Sequence, residues 1–108
     1  MIRIFYVSTA MPNLTETEIT QIVATAKQHN AKFEITGALA YNGVNFAQVL
    51  EGDEIHLEQL MDNIKNDERH SGVIEVARTS TEKRAFEGWH MKHIEGLKFD
   101  ELVHAMSA

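Results

Sequence analysis

The stretch Ile35-Thr36-Gly37-Ala38-Leu39-Ala40-Tyr41-Asn42-Gly43-Val44-Asn45-Phe46-Ala47-Gln48-Val49-Leu50-Glu51-Gly52 reads as two antiparallel strands around a tight turn. Residues 35–41 form one strand and 44–51 the returning one. Asn42-Gly43 is a favoured pair for a two-residue type I′ turn, in which both central positions need positive φ. Gly52-Asp53 closes the hairpin, with Asp53 placed as the N-cap of a helix whose apolar stripe is Leu57, Leu60, Met61 and Ile64. Upstream, residues 2–8 are β-branched and aromatic, which predicts a strand. The turn Met11-Pro12-Asn13 follows. Thr15 and Glu18 then make a capping box, Leu14 and Ile19 stand at staple positions, and Ile19, Ile22, Val23 and Ala26 recur at helical spacing until the helix fades near His29-Asn30. Downstream, residues 73–79 and 86–91 read as two more strands and residues 99–106 as a short helix.

The order β-α-β-β-α-β-β predicts an α+β, ferredoxin-like sandwich, with two helices on one face of a mostly antiparallel sheet. Residues 1–93 make one domain and 94–108 a short C-terminal tail, helical in part. The 108 residues suffice for one core but not two. With no cysteine, a disulfide scaffold, a thiolate metal site and a cysteine nucleophile are excluded. A formal charge of -6 lays down no broad footprint for nucleic acid. No apolar run approaches the roughly 20 residues that span a bilayer, and the opening run is too short for a secretion signal. A cytoplasmic location without membrane association is expected.

Strand alternation sorts the side chains by face. Val44, Phe46, Gln48 and Leu50 share one face, which makes Gln48 a lone amide among apolar neighbours. Tyr6 shares its face with Ile2, Ile4 and Ser8, and Trp89 shares one with Met91. Phe5, Val7, Ala38, Ala40, Ala47 and Val49 make the second face equally apolar. Two helices cover one side only, so the outer face calls for a C-terminal helix, a partner or a second copy, and a homo-oligomer through that face is expected. Phosphate loops and nucleophile elbows are absent. Alternation sends His90 and His93 to opposite faces, so no metal is expected there.

Taken in order, these residues resemble a known family. Tyr6-Val7-Ser8, Asn30 followed by Ile35-Thr36-Gly37, Phe46-Ala47-Gln48-Val49-Leu50-Glu51-Gly52, Asp67-Glu68-Arg69-His70 and Phe86-x-x-Trp89-x-Met91 are similar to the pattern of BLUF domains, over residues 2–92. The resemblance implies a blue-light sensor that binds FAD without a covalent bond, which suits a chain lacking cysteine. Tyr6 would be the electron and proton donor to the excited flavin, and Gln48 the bridge between the Tyr6 hydroxyl and the flavin edge. Asn30 would bond the flavin from the first helix, and His29 would stand against its ring. Asp67, Arg69 and His70 would line the flavin and ribityl region. Trp89 and Met91 would relay the switch to a downstream protein partner. No enzymatic activity is implied.

Lys27 lies one turn before Asn30 and is a candidate for neutralising the FAD pyrophosphate. Two other functions compete. An acylphosphatase-like hydrolase would need an arginine loop after the first strand, and Ser8-Thr9-Ala10-Met11-Pro12 has none. A light-independent ligand-binding or dimerisation domain would have no use for Tyr6 and Gln48 together.

Overall fold

The computed structural model describes residues 1–88 and 90–94, the last three by their backbone alone. Along the chain run β1 (Ile2–Ala10), α1 (Glu16–Lys32), β2 (Thr36–Tyr41), β3 (Asn45–Gly52), α2 (Glu54–Lys65), β4 (His70–Ser80) and β5 (Lys92–Ile94). Thr15 starts α1 with the expected box: its Oγ1 accepts from the Glu18 amide at 3.1 Å, and its own amide donates to the Glu18 carboxylate at 3.3 Å. Asp53 caps α2, its Oδ1 accepting from the Ile55 amide at 3.0 Å.

The strands lie in the order β4-β1-β3-β2-β5. The first four are mutually antiparallel, the ferredoxin-like arrangement, and β5 adds a short parallel edge beside β2. Ile19 and Val23 from α1 and Leu57 and Met61 from α2 pack on Ile2, Ile4, Leu39, Phe46 and Leu50, so both helices cover one face. On the other face Phe5, Ala38, Ala40, Ala47 and Val49 form a second buried cluster with Phe86. Toward the β4 edge, Ile74 and Val76 stay exposed.

Two local expectations are corrected. Asn42 does not adopt the positive φ of a type I′ turn; in that turn Gly43 alone does, at 95°. The Asn42 side chain builds the corner instead, its Oδ1 accepting from the amides of Val44 at 3.0 Å and Asn45 at 2.7 Å. Val44 therefore belongs to the turn and is 62% exposed rather than sharing the inner face with Phe46. The strand expected over 86–91 is also absent among the described residues of that range. The Ala85 and Phe86 amides bond the Glu51 carboxylate, Gly88 takes a φ of 85°, and pairing resumes only at Lys92. Amides spent on a side chain cannot join a ladder. Trp89 and the helix expected over 99–106 lie outside the described residues.

Candidate functional site

A cavity of about 230 Å³ opens between α1, α2 and the inner face of the sheet. Ile22 and Ala26 of α1 face Leu60 and Ile64 of α2 across it, with Leu39 and Phe46 beneath. Polar groups gather around this apolar slot: Tyr6 and Gln48 from the sheet, Thr25, His29 and Asn30 from α1, Asn63 from α2, and Asp67, Arg69 and His70 beyond its end.

Tyr6 and Gln48 are directly opposed on β1 and β3, so their side chains rise together on the inner face. The Tyr6 hydroxyl donates to Gln48 Oε1. Gln48 Nε2 donates to Met91 Sδ at 3.5 Å, a weak acceptor that leaves much of the amide's donor capacity unspent. Irregular pairing of β1 with β4 between Phe5 and Tyr6, and between Val7 and Thr9, flanks this position. Beside it, His70 Nε2 donates to the Ile64 carbonyl at 2.5 Å, so its Nδ1 is the acceptor for the Ser8 hydroxyl at 2.7 Å. The His70 ring meets the Tyr6 ring edge-on, with centroids 6.4 Å apart.

Asn30 is 1% exposed, and its Nδ2 donates to the His90 carbonyl at 2.6 Å. Among the described residues its Oδ1 has only a long contact to His29 Nδ1, at 3.4 Å. Asp67 clasps the Arg69 guanidinium through Nε at 2.9 Å and Nη2 at 2.5 Å. That bond holds the Asp67 carboxyl below the usual carboxylate range. Lys27 is exposed on α1 and is not part of the cavity wall. Among the described residues no group of three or more acidic or histidine side chains could hold a metal, and no helix is long and apolar enough to cross a membrane.

Burial pushes the Tyr6 phenol well above its ordinary value of 10.0, and the charge of Asp67 acts the same way. A raised value means that the folded state keeps its proton after the unfolded chain has lost it. Stability is then whole below pH 10 and falls as pH rises further, by about 1.4 kcal/mol per pH unit for one proton. Urea unfolding at pH 9 and pH 11 should show a steeper alkaline loss in the native chain than in Tyr6→Phe. Equal losses would disprove the assignment to Tyr6.

A family model described as sensors of blue-light using FAD matches residues 1–92. The chain belongs to the BLUF family. It is 33% identical over 81 residues to the photoactivated adenylate cyclase subunit beta of Euglena longa, which covers 75% of this chain but 9% of that protein. Klebsiella pneumoniae BlrP1, solved with FMN and cyclic diGMP, superposes with a TM-score of 0.83 at 32% identity, over 95% of this chain and 29% of that one. BlrB, a BLUF protein in its dark state, shares the fold at a TM-score of 0.86 and 24% identity, over 99% of this chain and 96% of its own. BLUF domains bind a flavin, and the cavity suits one. The helix sides of the slot are apolar at Ile22, Ala26, Leu60 and Ile64, and two buried amides, on Gln48 and Asn30, whose contacts among the described residues leave bonding capacity spare, stand at its edge for a heteroaromatic ring.

Tyr6, His29, Asn30, Gln48, Asp67, Arg69 and His70 of the BLUF pattern line the cavity, and Ile22, Thr25, Ala26 and Asn63, which that pattern did not name, line it too. Ile22, Thr25, Ala26 and His29 recur at three- and four-residue spacing, and Asn63 lies three residues after Leu60 on the α2 stripe. Helical periodicity read outward from His29 and Leu60 would have found all four.

Proposed function

We propose that this BLUF chain is a blue-light photoreceptor that holds FAD non-covalently between α1 and α2 and switches a protein partner. The observation that carries the reading is the Tyr6 hydroxyl on the Gln48 carbonyl at the cavity wall, with the Gln48 NH₂ facing, among the described residues, a thioether alone. A bound flavin supplies blue-light absorption and, once excited, a strong oxidant. Tyr6 would be the donor of an electron and of its hydroxyl proton to that group and would recover both, so nothing would be consumed. Gln48 stores the event, because turning its amide exchanges donor for acceptor toward both Tyr6 and the cavity. Met91, and Trp89 two residues before it, pass the change to the sheet. His29, Asn30, Asp67, Arg69 and His70 orient the ligand and shield its polar edge.

Lys27 answers to the pyrophosphate of FAD, outside the cavity and on the helix that carries Asn30. Lys27→Ala is expected to weaken FAD binding about two- to fivefold, the scale of an exposed ion contact, and to leave riboflavin binding unchanged. Equal effects on both ligands would remove Lys27 from the site. Phe5, Ala38, Ala40, Ala47 and Val49 of the outer face are already buried, so a second copy or partner protein meets that face at its exposed β4 edge, around Ile74 and Val76, in a cytoplasmic setting. The reading as a whole is tested by absorption spectra of the purified protein in darkness, under blue light and during recovery. A flavin spectrum that shifts slightly red without bleaching and then relaxes is the expected result. A colourless protein that takes up no flavin would leave the light-independent ligand-binding domain.

A further inference from the structure

Glu51 lies on the far side of the sheet from the cavity and is 0% exposed. Its register partners, Arg3 on β1 and Thr36 on β2, bring three polar side chains together on the outer face. The carboxylate collects four donors. Arg3 Nε at 2.9 Å and the Ala85 amide at 2.7 Å bond Oε2; Thr36 Oγ1 at 3.0 Å and the Phe86 amide at 2.9 Å bond Oε1. Arg84 ties in from the same segment, donating to Thr36 Oγ1 at 2.8 Å and to the Glu51 carbonyl at 3.2 Å. A charge buried this deeply survives only when its lone pairs are used, and burying that face alone would need no charge.

The segment so held runs on to the site. His90 offers its carbonyl to Asn30, and Met91 its sulfur to Gln48 Nε2. Residues 84–86 are therefore fixed by charge-assisted bonds and His90 by the Asn30 amide and by its Nδ1 bond to the Ile35 carbonyl at 3.1 Å, while the Met91 side chain touches the Gln48 amide through a weak thioether contact. We propose that Glu51 is a positioning residue, the pivot that returns Met91 to Gln48 and so sets how long the lit state lasts. The inference rests on the photoreceptor reading above. A change in the Gln48 amide displaces the weakly held Met91 side chain, and the backbone fixed through Glu51 draws it back.

The test compares Glu51→Gln with the near-isosteric Thr36→Val, which weakens the same clasp and keeps the charge. Both should load flavin and keep the red shift, but recover in darkness more slowly by about three- to tenfold, the scale of one lost hydrogen bond. Hydrogen exchange in the flavin-free protein should show the Ala85 and Phe86 amides losing protection in both variants. Glu58→Gln, which breaks the exposed pair with Arg78, should recover as the native chain does. If Glu51→Gln does not fold, Thr36→Val decides alone. A native red shift with unaltered recovery in the folded variants overturns this inference only. A native chain without a red shift overturns the photoreceptor reading, and this inference with it.

Discussion

Gln48→Leu is expected to yield a folded, flavin-loaded protein whose absorption no longer shifts red in blue light, and Tyr6→Phe to do the same. Leucine approximates the size of glutamine but can neither accept from the Tyr6 hydroxyl nor present an NH₂ to the cavity. Phenylalanine fills the tyrosine site but has no proton to give and leaves Gln48 Oε1 without its donor. Each single variant therefore strands a buried polar group, at a cost of about 1–3 kcal/mol. The double variant strands neither, so its destabilisation should fall below the sum of the two. Thermal unfolding measures that non-additivity, and retained flavin absorbance separates a lost switch from a lost cofactor. A red shift of native size in either single variant would show that the Tyr6–Gln48 bond is not the switch.

That pair also marks what a sequence can disclose. Alternation assigns Tyr6 and Gln48 each to the inner face, because the period of a strand is local. Their meeting depends on the register of β1 against β3, which places residues 6 and 48 in direct opposition. Register comes from packing across the whole sheet. The helix starts at Thr15 and Asp53 were legible for the same local reason: a cap bonds amides two or three residues away. Where a side chain competes with the backbone over a long range, local patterning fails. Residues 86–91 alternate like a strand, yet Glu51, 35 residues before Phe86, takes the amides that a ladder would need. Asn42 fails on a smaller scale, since a side chain that satisfies two amides removes the need for its own positive φ.

Gly37→Ala should be the most damaging glycine-to-alanine substitution among the described residues. A Cβ at Gly37 would lie 2.0 Å from the Val49 carbonyl oxygen and 3.0 Å from its carbon. The obstacle is main chain, and β3 has no room to yield, because it is paired on both sides, with β1 and with β2. Relief requires β2 to move away from β3, which separates Leu39 from its partner Gln48 and disturbs the wall of the cavity. Overpacking of this kind costs about 3 kcal/mol or more. For a domain of this size each kcal/mol lowers Tm by about 4–8 °C, so a fall of about 12–24 °C is expected. Gly43→Ala is the proper comparison. Its φ of 95° disfavours alanine, but nothing lies within 4 Å of the added carbon, and the cost there is about 1–2 kcal/mol of backbone strain. Calorimetry on the two variants ranks a clash against a strained dihedral. If Gly43→Ala proved the less stable of the two, the tight approach of β2 to β3 could not be what requires glycine at position 37.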